Sequence, residues 1–233
     1  MTRTLRRNLV AVLALLTVML GILLLDIGIA PEHVYPGRTA VFPWLELLIV
    51  AGVGLLGAGL AARTELVAVL PPPGAPGLLV RAGAYGLGLG VLLALLDAWL
   101  RIGDINVGLP LAPLFYLWGA ISQELLTHFG PVALAVGIAS FFRQSNRAQR
   151  AVFWVVAVAM SALAAVGMIG AFQNPDVPLD PQLPIAPMVI GGAVFVIEVA
   201  LFAMLARAGL FAALAMRLGF YAIWHIAWPA LAY

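Results

Sequence analysis

Trp118-Gly119-Ala120-Ile121-Ser122-Gln123-Glu124-Leu125-Leu126-Thr127-His128-Phe129-Gly130-Pro131 places two ionisable side chains in the middle of an otherwise apolar run. Glu124 and His128 are four residues apart, so a helix would carry both on one face. If the run crosses a bilayer, both groups must face protein or trapped water, because charge at mid-membrane is costly. Pro131 lacks an N–H and crowds the carbonyl of Thr127, so the sequence predicts a bend just past His128. What the rest of the chain must supply is an apolar housing for this polar kink.

Composition supplies it. Hydrophobic residues make up 64% of the 233 and charged residues 9%, against about 45–50% apolar and about 25% charged in a soluble domain. The fold class expected is therefore all-α, a polytopic integral membrane protein of about seven spans. The isoelectric point near 9.4 does not point to nucleic acid, because the formal net charge is only +2 and the basic residues lie between apolar runs. They read as topology signals. The absence of cysteine excludes a disulfide framework, thiolate catalysis and a cysteine metal site. No cofactor or resident metal is expected.

Arg3, Arg6 and Arg7 precede a run from Asn8 to Ala30 that is too long for a signal-peptide core and is followed by Pro31-Glu32 rather than small residues. It reads as a retained first span with a cytoplasmic N-terminus. Further spans run from Pro43 to Ala62, Leu78 to Leu100, Leu111 to Phe142, Ala151 to Phe172, Pro187 to Ala206 and Gly209 to Ala232. Pro71-Pro72-Pro73-Gly74-Ala75-Pro76 marks a loop before the third span, in which Gly86 and Gly90 have the spacing that lets helices approach closely. Arg143, Arg147 and Arg150 form a cytoplasmic loop, whereas the acidic, proline-rich Gln173–Pro181 segment contains no arginine and lies outside. This topology puts nine of the twelve arginines on the cytoplasmic side, as expected of a multi-pass protein of a prokaryotic inner membrane. Residues 1–110 form an N-terminal group of three spans and residues 111–233 a core of four, with no separate soluble domain and no internal repeat.

Several polar residues have plain structural readings. Asp97 lies four residues before Arg101, a spacing suited to an ion pair. Asp26 and Glu46 lie near span ends, and Trp44, Trp99 and Trp228 fit an interfacial aromatic belt. The set that remains is Gln123, Glu124, His128, Glu198, Arg217, Tyr221 and His225. Arg217, Tyr221 and His225 are spaced four and four, a second polar stripe. Each buried charge costs at least about 2.5–3.5 kcal/mol on insertion scales, so the two stripes should face each other inside the bundle. A Glu124–Arg217 ion pair is the simplest structural account of that arrangement.

The run from Trp118 to His128 resembles the first motif of the CPBP (CAAX protease and bacteriocin-processing) family of intramembrane proteases, which typically shows Tyr-Gly-Gly-Ile-x-Glu-Glu-x-x-x-Arg. The run from Arg207 to His225, containing Gly209-Leu210-Phe211-Ala212-Ala213, is similar to the family's last motif, where Gly-Leu-Glu-Ala-Ala precedes a His followed four residues later by Asn or Asp. The resemblance covers roughly the C-terminal half. Gln123 stands where the family has its water-activating glutamate, His128 where it has arginine, and Arg217 and Tyr221 at the final His and Asn/Asp positions. The fifth span offers no histidine for the second motif.

The resemblance implies a CPBP-like fold around a degenerate or altered protease site. Any hydrolysis would take Glu124 or a histidine as base, Glu124 acting on water held by His128 or His225 with the oxyanion stabilised by Arg217, while Gln123, Glu198 and Tyr221 line the cavity. Two other readings stay open. One is a non-catalytic protein that binds a peptide or membrane-protein partner through the same cavity. The other is a cluster of Glu124, His128, Glu198 and His225 that holds zinc or iron or relays protons.

Overall fold

The computed structural model describes residues 2–29, 42–64, 66–72, 77–100, 107, 109–142, 145–172 and 184–232. Among these there is helix and no strand, as expected where water cannot satisfy the backbone and an uninterrupted helix can. Three helices lead: α1 (Arg3–Ile29), α2 (Phe42–Ala61) and α3 (Gly77–Leu100). Helix α4 (Ala112–Gln123) passes through a π-helical turn, Glu124–Phe129, into α5 (Gly130–Phe141). Helices α6 (Asn146–Phe172) and α7 (Ala186–Ala208) follow. Helix α8 (Leu210–Tyr221) passes through a second π-turn, Ala222–Ala227, into the short α9 (Trp228–Ala232). Taken as continuous rods, these are seven helices long and apolar enough to cross a membrane.

Where the sequence predicts a bend just past His128, the helix runs on through the first π-turn. The N–H of Gly130 donates to the carbonyl of Leu125, five residues back, so the helix is widened where the Pro131 ring would otherwise collide. The last rod repeats the device: the N–H of Trp228 reaches Ile223, again five back, immediately before Pro229. Helix α6 begins earlier than hydropathy alone suggests. The Ala148 N–H donates to Ser145 Oγ at 3.3 Å and the Gln149 N–H to the Ser145 carbonyl at 2.9 Å, so Ser145 caps the helix. Arg147 and Arg150 therefore sit on exposed first turns of α6 rather than in a loop. Arg143 and the Gln173–Pro181 segment lie outside the described residues, as do Arg38 and Arg101.

The most extensive helix contact is between α3 and α8. Gly86, Gly90 and Gly219 make it possible: a methyl on Gly90 would fall 2.9 Å from the Phe220 carbonyl, and one on Gly219 would fall 2.9 Å from the Leu87 nitrogen. At one end of the bundle, residues 66–72 fold back across the start of α8. Leu210 and Phe211 donate their N–H groups to the carbonyls of Ala68 and Val69 at 2.9 and 3.2 Å, satisfying donors that a helix start leaves open. Gly209 turns the chain between α7 and α8 with φ of +85°, and a Cβ there would lie 2.9 Å from the Ala68 carbonyl. That end gathers the start of α1 and the ends of α2 and α7. The Arg63 guanidinium lies 4.6 Å from the centre of the Phe141 ring, placing the end of α5 there too. The rods thus alternate in direction.

Candidate functional site

Arg217 stands at the centre of the polar residues. It projects from α8 and is 2% exposed, so its guanidinium needs partners supplied by other helices. Nε donates to Glu124 Oε1 at 2.5 Å. Nη1 donates to Gln123 Oε1 at 2.6 Å and to the Tyr221 hydroxyl at 3.5 Å. Nη2 donates to Glu198 Oε2 at 3.2 Å and lies 3.4 Å from both ring nitrogens of His128. Helices α4 and α7 and the first π-turn therefore converge on one cation, and the two stripes do face each other. The Glu124–Arg217 pair expected from the sequence is present.

The next contacts fix these groups in place. The Tyr221 hydroxyl donates to Gln123 Oε1 at 2.7 Å. With both Arg217 and Tyr221 pointing donors at that atom, the amide is oriented and its NH2 is the end left to face outward. His128 Nε2 pairs with Glu198 Oε2, while its Nδ1 lies 2.9 Å from Thr127 Oγ1, which in turn donates to the Gln123 carbonyl at 2.7 Å. The His128 ring lies against Phe202 of α7 with centroids 4.4 Å apart. Glu124 is 0% exposed and its Oε2 is buried with no hydrogen-bond partner among the described residues, an unusual expense for a carboxylate. His225 stacks on Tyr116 with ring centroids 4.4 Å apart and planes 15° apart, and it also meets the Tyr221 and Trp224 rings.

Two cavities open beside this cluster. The larger, about 370 Å³, is lined by Gln123, Glu198, Arg217, Tyr221, Trp224 and His225, with Leu93, Val194, Ile197 and Phe220 among its apolar walls. The smaller, about 150 Å³, lies against Gln123, Thr127, His128 and Glu198 on the α6 side. Gln123 is exposed and Glu198 is 13% exposed, so both present polar groups to the cavities, as do the half-buried Thr127 and His225. All seven expected residues are thereby accounted for: six form the hydrogen-bonded cluster, and His225 joins through the cavity and its aromatic neighbours. Thr127 and Trp224 were missed. Thr127 lies inside the opening motif, and Trp224 follows Tyr221 by three residues, so both were within reach of helical spacing.

Glu124, His128 and Glu198 do come together, as a metal reading requires, but the Arg217 guanidinium lies between the two carboxylates. Among the described residues no group of three His, Asp or Glu side chains is arranged to hold a metal ion. Outside the cluster, Glu46 of α2 accepts from Trp118 Nε1 at 3.0 Å and Ser122 Oγ at 2.6 Å, tying α2 to α4. Asp97 accepts from Trp224 Nε1 at 3.3 Å, and its expected partner Arg101 lies outside the described residues. Trp44 and Trp99 are 40% and 60% exposed, which suits a belt position. Comparison with family models, with curated proteins and with solved structures finds no match for this chain.

Proposed function

We propose that this chain is a seven-span protein of a prokaryotic inner membrane, N-terminus cytoplasmic, built on a CPBP-like plan, whose cavity binds a membrane-embedded peptide segment without cleaving it. The observation that carries this reading is the placement of the two carboxylates. Glu124 Oε1 is taken by Arg217 Nε, and Oε2, which has no hydrogen-bond partner among the described residues, belongs to a buried side chain that lines neither cavity and so is not placed to draw a proton off water there. A general base must come within about 2.6–3.2 Å of that proton. Glu198 does reach the cavities, but its Oε2 is shared between Arg217 and His128. Gln123, at the position of the family's water-activating glutamate, is a neutral amide with no useful basicity.

The same features suit binding. The 370 Å³ cavity combines apolar walls with the Gln123 amide, the Tyr221 hydroxyl and the Trp224 and His225 rings. An oriented Gln123 NH2 is placed to donate to a main-chain carbonyl, and the apolar walls receive the side chains that flank it. Gly167 lines this cavity, and a Cβ added there meets nothing within 4 Å, so Gly167→Trp fills the space without a clash at its root.

The test uses purified full-length protein in nanodiscs with fluorescent prenylated and bacteriocin-leader-like peptides. The expected result is saturable peptide binding lost in Gly167→Trp, with no turnover by wild type or by Gln123→Glu. Turnover by wild type that disappears in a folded Glu124→Ala protein overturns the reading and makes Glu124 a working base.

A further inference from the structure

The arginine-rich end of the bundle holds a second site, unrelated to the Arg217 cluster. Arg7 from α1, Arg63 after α2 and Arg207 from the last turn of α7 line one cavity of about 630 Å³, walled by the Leu66–Pro72 strap and Gly209. All three arginines are exposed, and among the described residues no carboxylate forms an ion pair with any of them. The cavity also contains Thr4 and Thr64, and Thr64 Oγ1 is buried with no hydrogen-bond partner among the described residues. Arg7 is shared with a neighbouring cavity of about 600 Å³, where Arg3 and Arg6 stand above an apolar floor of Val10, Ala11, Ala14, Leu70 and Phe211. From there the outer face of α1 continues apolar, with Val10 59% and Leu13 49% exposed.

Five arginines therefore surround two joined cavities at the ends of spans, where a bilayer meets water. The sequence places one acidic residue in this part of the chain, Glu65, which lies outside the described residues. Guanidinium groups on separate elements match the spread oxygens of a phosphate, and basic pockets between transmembrane helices hold anionic headgroups. A free phosphate would need only the arginines and Thr64. The apolar floor beside Arg7, running on to the exposed side chains of α1, fits something that also carries an acyl chain. We propose that these cavities bind one anionic phospholipid, its phosphate among Arg7, Arg63 and Arg207 and one acyl chain along Val10 and Leu13 of α1.

The retention of arginine by the positive-inside rule alone would put charge at this end without a site. Arg147 and Arg150 of α6 provide the control, since they are exposed at the same end and line neither cavity. Full-length protein in neutral detergent is titrated with phosphatidylglycerol and with phosphatidylcholine, and bound lipid is counted by native mass spectrometry. Phosphatidylglycerol should bind with one-to-one stoichiometry and phosphatidylcholine far more weakly. Arg7→Gln and Arg207→Gln should each weaken phosphatidylglycerol about fivefold, the effect of about one juxtamembrane charge. Arg147→Gln and Arg150→Gln should leave it unchanged, and Val10→Asn should weaken it without altering the charge. Equal losses in the α6 variants, or full displacement of the lipid by millimolar inorganic phosphate, would overturn the assignment.

Discussion

Removing Glu124 isolates the energetic centre of the protein. Arg217 is 2% exposed and Glu124 0%, with Nε and Oε1 2.5 Å apart. Breaking a buried pair by deleting one partner costs about 3–5 kcal/mol, because the other charge is left in a dry interior. Here the guanidinium would keep Glu198 at 3.2 Å and Gln123 Oε1 at 2.6 Å. Glu124→Ala should therefore fall at the low end, about 3 kcal/mol. Glu198→Ala removes a longer contact to Arg217 together with the pairing to His128, but from a side chain that is 13% exposed and meets the cavities, and should cost about 1.5 kcal/mol, the low end for hydrogen bonds to charged groups. With about 2–4 °C of melting temperature per kcal/mol in a chain of this size, the losses are about 6–12 °C and about 3–6 °C. The double variant Glu124→Leu/Arg217→Met removes both charges together. Tyr221 still donates to Gln123 at 2.7 Å and Glu198 still pairs with His128, so it should melt above Glu124→Ala. Thermal unfolding in detergent, followed by tryptophan fluorescence, reads all three. Glu124→Ala melting within about 2 °C of wild type, or Glu198→Ala being the more damaging, would refute an Arg217 hub organised around Glu124.

Gly90→Ala should lower stability by about 1–3 kcal/mol, because its methyl would meet Phe220 at 2.9 Å, whereas Gly88→Ala, with nothing within 4 Å, should be tolerated; detergent melting curves compare them directly. Reporter fusions after Arg147 should read cytoplasmic and fusions near Asp180 external, and the reverse at either site would sink the N-in topology.

The architecture was legible because its causes are one-dimensional. Long apolar runs have no alternative to helix in a bilayer, and their ends are marked by arginine, proline and glycine. The convergence of Glu124 with Arg217 was legible for a related reason: two polar stripes on separate spans have few low-energy neighbours other than each other. Helix starts were harder to read. Ser145 extends α6 back to Asn146, a capping effect that hydropathy does not register. The hydrogen-bond order within the cluster was also hidden. Nothing in the spacing reveals that Gln123 Oε1 receives two donors, or that Glu198, on a span between the two stripes, closes the ring through His128. Those facts depend on helix rotations that the sequence fixes only through packing of the whole bundle.

The two π-turns join these levels. Each polar stripe ends in the same order, a histidine followed within a turn by proline: His128 before Pro131 and His225 before Pro229. In an ordinary α-helix each proline would clash with the carbonyl four residues back. The five-residue hydrogen bonds at Gly130 and Trp228 widen the helix there, within a turn of Thr127, His128, Trp224 and His225, which line the cavities. A widened turn needs tight packing to hold it, and the first has it. A methyl on Gly130 would meet the Leu125 carbonyl at 2.6 Å, while Phe129 is fully buried and lies within 2.9 Å of where a Gly57 Cβ would stand. Each proline thus follows a turn from which site residues project, Glu124 and His128 in the first and His225 in the second, and α2 packs against the first turn and α3 against the second. The first three helices consequently help to shape the site, although its hydrogen-bonding side chains come from the fourth, sixth and seventh of the long helices.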